Sequence, residues 1–170
     1  KGALPQARKL VEGLLAKHPR HAVLLNMLGS IHSQSGQGPQ ALQVLRAAQK
    51  LDPYYAEAWY NEAQEWRRQD QGDNAIRAYR AAIARAPGSE KALLGYVTLR
   101  NQAMQAEQAR PFAERLVALS PKSVPAQIAL GNTLTLLRDY PGAEAALAEA
   151  VKLSRGTSAE ALMLLAQAVS

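Results

Sequence analysis

Residues 56–87 read AEAWYNEAQEWRRQDQGDNAIRAYRAAIARAP. The segment ends on a proline, and that proline recurs. Pro19, Pro53, Pro87 and Pro121 are spaced 34 residues apart. Alanines at Ala7, Ala41, Ala75, Ala109 and Ala143 keep the same 34-residue step. A third register holds Pro5, Pro39, Asp73, Glu107 and Pro141. A fixed period of this length marks a chain built from one supersecondary unit.

Each register has a physical reading. Proline lacks the N–H that goes unpaired in a first helical turn, and a carboxylate there meets the positive end of the helix dipole. The third register therefore opens helices. The repeated alanine is a point of close helix approach. The prolines at the 34-residue stops follow helices that cannot continue. The unit is two helices of about fourteen residues joined by short turns. It predicts helices over 4–18, 22–35, 38–51, 56–70, 73–86, 90–103, 107–119, 124–137, 141–153 and 159–169. The resulting organisation is one repeat domain over 1–170. Residues 1–21 supply the second helix of a partial repeat. Full repeats cover 22–55, 56–89, 90–123 and 124–158, and 159–170 supplies a last first helix.

Composition agrees. The 170 residues are 48% hydrophobic, with one Phe, two Trp, six Tyr and no Cys. Ala and Leu outnumber β-branched residues, which favours helices over strands. A disordered chain, a disulfide framework and a cysteine-ligated metal site are excluded. No stretch is apolar for long enough to read as a membrane span. The expectation is a soluble chain of the cytoplasm or periplasm, with the compartment itself unspecified. The net charge of +6 gathers in residues 1–21, where Lys1, Arg8, Lys9, Lys17 and Arg20 oppose only Glu12. A cationic helix without interleaved aromatics is a solvated face and not a nucleic-acid stripe, so no nucleic acid is expected.

These residues carry a resemblance. Trp59, Ala63, Trp66, Ala75, Tyr79, Ala82 and Pro87 match the signature of the tetratricopeptide repeat family. Leu25, Leu28, Gly29, Ala41, Leu45, Ala48 and Pro53 match it one repeat earlier, and Leu130, Gly131, Ala143, Leu147 and Ala150 match it later. The resemblance implies an all-α, right-handed superhelical solenoid of about ten helices. Departures stand out. Glu62 sits where the family buries Leu, so it either reaches solvent or pairs with a nearby arginine. Val97, Arg100 and Ala113 make the 90–123 repeat the weakest match. Pro111 predicts a delayed or kinked helix near Glu107 to Pro111. The loop Ser154 to Ser158 carries one extra residue and should bulge. The phase of the repeats, together with the apolar last helix Ala161-Leu162-Met163-Leu164-Leu165, leads to the expectation that the natural chain continues. Failing that, this helix pairs with another copy.

Catalytic chemistry is not legible. His18 and His21 flank a turn with no carboxylate or cysteine close in sequence, and His32 takes a packing position. Gly36-Gln37-Gly38-Pro39 joins two helices and reads as a turn rather than a phosphate loop. Glu62 and Glu65 read as solvated charges. No enzyme, cofactor or metal site is expected. What remains is the groove that the family lines with its first helices. The resemblance places Asn26, Ser30, Tyr60, Asn61, Gln64, Arg67, Arg68, Lys91 and Asn101 there as partner-binding residues. Neighbouring groove positions include Met27, Ser33, Gln34, Glu57 and Thr98. Asn61 and Lys91 match two positions of the chaperone-type carboxylate clamp, but Asn26, Ser30 and Gly95 fail the other three. The asparagine ladder of the O-linked N-acetylglucosamine transferase array is also absent. The expectation is a scaffold binding a protein or peptide segment, acidic in character. The alternative is the substrate-recruiting arm of a larger enzyme, such as a sulfotransferase or glycosyltransferase. Reversing the charge of Arg67 and Arg68 is predicted to weaken an acidic partner while circular dichroism stays unchanged.

Overall fold

A computed structural model describes residues 3–168. Lys1 and Val169, included above in the charge count and the last helix, lie outside the described residues. The described residues form ten helices and two compact units, Lys1–Pro87 and Gly88–Ser170. The first unit holds α1 (Ala3–Lys17), α2 (Ala22–Gln34), α3 (Gly38–Leu51), α4 (Ala56–Arg68) and α5 (Gly72–Arg85). The second holds α6 (Glu90–Gln102), α7 (Ala106–Leu119), α8 (Val124–Leu136), α9 (Tyr140–Leu153) and α10 (Ala159–Ala168). The described helix ends fall within two residues of those predicted from the sequence. The unit boundary falls two residues before the predicted repeat boundary at 89.

Within each unit the hairpins α2–α3, α4–α5, α6–α7 and α8–α9 stack one on the next. The second helix of one hairpin packs on the first helix of the following one, and neighbouring first helices touch. The alanine register is the hinge of this packing: Ala41, Ala75, Ala109 and Ala143 are all 0% exposed. Opposite it, a Cβ added to Gly29 would lie 2.6 Å from Leu45 Cγ, and one at Gly131 would lie 2.5 Å from Leu147 Cγ. Only glycine lets these helices approach so closely.

The weakest repeat compensates. Val97 and Ala113 occupy the registers of Gly29 and Leu45, and both are fully buried, so volume is exchanged between the two sites and not lost. Arg100, in place of an aromatic, lies 5.2 Å from the Tyr96 ring centroid and donates to the Tyr96 hydroxyl at 3.1 Å. Tyr96 and Phe112 restore the missing aromatic contact, with centroids 4.5 Å apart.

The delayed start expected near Pro111 is not found. Helix α7 starts at Ala106, in register with Gly38, Gly72 and Tyr140, and runs on through Pro111 without delay. Pro111 has a helical φ built in and forfeits only the bond to the Glu107 carbonyl, which lies on an exposed turn that water reaches. Buried Ala106 and Ala109 hold the start in place.

The turns inside the hairpins repeat as well. Gly36, Asp70, Met104 and Arg138, each 34 residues apart, all have left-handed φ of 57–74°. Gly36 confirms the hairpin-turn reading, with α2 before it and α3 after it. The longer Ser154–Ser158 loop absorbs its extra residue with two consecutive left-handed residues, Arg155 and Gly156. Non-glycine residues in this conformation are strained by roughly 1–2 kcal/mol. The exposed Met104 has little packing to lose. Met104→Gly is therefore expected to raise the unfolding free energy by about 0.5–1 kcal/mol in urea denaturation. An unchanged or lowered value would show that the turn carries no such strain.

Candidate functional site

Positions 26, 30, 33 and 34 share one face of α2, and 57, 60, 61, 64 and 68 share one face of α4 at helical spacing. Because α2 packs beside α4, these faces meet along a cleft of about 230 Å3. Ser30, Ser33, Gln34, Tyr60, Asn61, Gln64 and Arg68 line it, over Leu45.

The polar side chains of the cleft are tied down from within. Asn61 donates its amide to Asn26 Oδ1 at 2.8 Å, and Asn26, itself buried, donates to the Tyr55 hydroxyl at 3.3 Å. Gln64 donates to the Tyr79 hydroxyl at 2.9 Å. Gln34 donates to Ser30 Oγ at 3.2 Å. The cleft is thus pre-formed. The rotamers of these amides are already chosen before a partner arrives.

The two neighbouring arginines have separate fates. Arg68 Nη1 bonds Glu65 Oε2 at 2.7 Å and also donates to Ser33 Oγ. Glu65 accepts from Ser33 and from Gln69 as well, and is only 2% exposed. Glu62 is 6% exposed and accepts from Arg46, Gln49 and Trp66. The reading of Glu62 and Glu65 as solvated charges is therefore corrected. Both are interior carboxylates clamped by donors from two helices, which is the condition for burying such a charge. Of the two readings of Glu62, pairing with arginine holds, through Arg46 Nε at 3.2 Å. Arg67 is exposed and makes no hydrogen bond or ion pair among the described residues. The carboxylate that Arg68 was expected to grip on a partner is its own neighbour.

Lys91 and Asn101 belong to the second unit. Lys91 is exposed in the first turn of α6. Asn101 donates to Thr133 Oγ1 at 3.0 Å and to the Ala129 carbonyl at 3.3 Å, bridging α6 to α8. His32 is buried, its Nδ1 2.6 Å from Gln37 Oε1, and His21 caps α2 by accepting from Leu24 N at 3.4 Å. Among the described residues no group of three or more metal-ligating side chains converges. Among the same residues no helix is long and apolar enough to cross a membrane.

The profile of the tetratricopeptide repeat family matches residues 1–56 and 26–90, together just over half of the 170 residues. The chain belongs to the tetratricopeptide repeat family. Its fold is the all-α solenoid of that family. The protein YrrB, described as a tetratricopeptide repeat protein with an unusual peptide-binding site, superposes with a TM-score of 0.81 at 17% identity, over 96% of this chain and 92% of that one. The protein MamA superposes with a TM-score of 0.77 at 20% identity, over 91% and 84%. A curated relative, Protein O-mannosyl-transferase TMTC1 of Mus musculus, is 25% identical over 126 residues, 72% of this chain. This tetratricopeptide chain spans only 13% of that relative's length.

The anchor of Gln64 was not foreseen. Tyr79 was read only as a signature aromatic, yet its hydroxyl anchors Gln64, and its ring lies 6.0 Å from that of Tyr60. Burial pushes its hydroxyl up from 10.0 to about 12, against a partial pull downward from Arg67. The unfolded chain releases this proton near pH 10 and the folded chain near 12, so the folded state holds it more tightly. Stability present below pH 10 is lost as pH rises towards 12. Tyr79→Phe should flatten that alkaline fall, with a difference on the order of 2 kcal/mol in urea titrations run across this range. A variant that loses stability over the same range as steeply as the parent would count against the buried hydroxyl.

Proposed function

We propose that this chain is a protein-interaction module that binds a peptide or protein segment in the cleft between α2 and α4. The observation that carries the reading is the cleft itself. It is a strip of amides and hydroxyls, several of them set in orientation by internal bonds. Such groups satisfy an extended backbone without demanding particular side chains. That YrrB carries a peptide-binding site supports a similar use of the fold here.

Arg67 supplies the preference for an acidic segment, because the charge of Arg68 is already answered by Glu65. A display library panned on the purified chain would provide the ligand. Asn61→Ala and Gln64→Ala are expected to weaken it about tenfold or more, as buried interfacial amides do. Arg67→Glu should weaken an acidic peptide without moving Tm. Arg68→Glu should lower Tm as well, because it strands buried Glu65. Affinity indifferent to Asn61 and Gln64 would place the binding surface elsewhere.

The mouse O-mannosyl-transferase relative favours a second reading, in which this chain is the recruiting arm of a larger glycosyltransferase. The intact mass of the native polypeptide decides it: a mass near 18.4 kDa would set the arm reading aside. Self-association through α10, which exposes Leu162 and Met163, is a third. Light scattering of Met163→Glu beside the parent is its test, and a parent that stays monomeric at high concentration would remove it.

A further inference from the structure

Glu65 is the odd residue at its place in the repeat. The same register holds Ile31, Leu99 and Thr133, all buried, and Glu65 is only 2% exposed there. At the register of its partner Arg68 stand Gln34, Gln102 and Leu136. Both charges are thus confined to one repeat. An apolar residue of similar volume commonly serves a core as well as a buried ion pair does, or better. The other three repeats close without the pair, so packing alone does not call for it.

What the pair touches gives it a use. Glu65 Oε2 accepts from Arg68 Nη1 at 2.7 Å and from Ser33 Oγ, and Arg68 also donates to Ser33. Glu65 Oε1 accepts from Gln69 at 2.8 Å. The same oxygen would lie 2.6 Å from a Cβ at Gly38, the first residue of α3. The carboxylate therefore sits against the positive end of a helix as well as against Arg68. Ser33 and Arg68 line the cleft, and Glu65 stands behind them. Among the described residues, Arg68 is the one charged side chain in that lining. Its guanidinium is half-exposed, and its Nε and Nη2 donors bond to nothing among the described residues. The cleft thus offers donors whose charge is cancelled from one layer below. Glu62 makes the contrast. It too is buried beside a half-exposed arginine, but its donors Arg46, Gln49 and Trp66 all lie outside the lining.

We propose that Glu65 is a positioning residue that sets what the cleft selects. It fixes Ser33 and Arg68 and cancels the charge of Arg68. The bound segment therefore presents an uncharged acceptor to Arg68, a backbone carbonyl or a side-chain amide, and not a carboxylate. The proposal rests on the cleft reading above and specifies its ligand. The acidic preference assigned to Arg67 acts at another point, because Arg67 does not line the cleft.

The test begins with a peptide selected from a random display library on the full chain. It is resynthesised with Gln, Glu or Lys at each position in turn, and affinities are read by fluorescence anisotropy. Glu65→Gln leaves Arg68 uncancelled. At one peptide position the Glu-over-Gln affinity ratio is then expected to rise about tenfold over that of the parent chain. Arg68→Gln leaves Glu65 uncancelled, so there the same ratio should fall and the Lys-over-Gln ratio should rise. The double variant should return both ratios to those of the parent. Glu62→Gln should leave them unchanged. A purely structural role for Glu65 would weaken all three peptides together and move no ratio. If Glu65→Gln does not fold by circular dichroism, the opposite shift in Arg68→Gln carries the test. Peptide binding that Asn61→Ala weakens, with ratios equal in the parent and the charge variants, would overturn this proposal alone. A library that yields no peptide, or one indifferent to Asn61→Ala, would overturn the cleft reading and this proposal with it.

Discussion

Everything in this molecule rests on how closely one helix can lie on the next. Leu45 and Leu147 press against glycines that have no room for a Cβ, and four alanines at the same period are wholly excluded from water. Dispersion and apolar burial both grow with such proximity. The interior has few aromatics to fill space, so small residues close the gaps by drawing backbones together. Where the pattern lapses, at Val97 and Ala113, the two sides change in opposite senses and the core stays closed.

The same proximity governs the polar groups. First helices that touch leave little water between their inner faces, so Glu62 and Glu65 are forced inside and are kept there by arginine, glutamine, serine and tryptophan donors. These clamps link α3 to α4 and α2 to α4. Two of their members, Ser33 and Arg68, also line the cleft. The side chains that hold neighbouring repeats together are thus, in part, those that a ligand would meet. Stability and recognition are not cleanly divided on this surface.

The candidate site was legible in its membership but not in its allegiance. Helical spacing is enough to put Ser30, Tyr60, Asn61, Gln64 and Arg68 along one groove, and the structure brings the five together. Spacing says nothing about which partner a side chain chooses. Arg67 and Arg68 are adjacent in the chain, but only Arg68 reaches Glu65 and Ser33, because one residue turns a helical side chain by about 100°. Asn101, placed with the groove, spends its amide on Thr133. Lys91 and Asn101 lie in the second unit, a division that the unbroken 34-residue rhythm does not announce.

The sequence alone determined the helix content, the ten helices with their ends, the hairpin turns and the family, because each follows from local rules. Prolines and carboxylates start helices, small residues recur where helices cross, and a period repeats whatever contact it encodes. Only the tertiary structure decided that Glu62 and Glu65 are interior, that the Tyr79 hydroxyl anchors Gln64, and that α7 passes through Pro111 without delay. These depend on distances between residues remote in sequence and on what shares their solvent. A one-dimensional pattern can name the face a residue occupies. Whether another helix covers that face, and which donor arrives with it, is settled by packing.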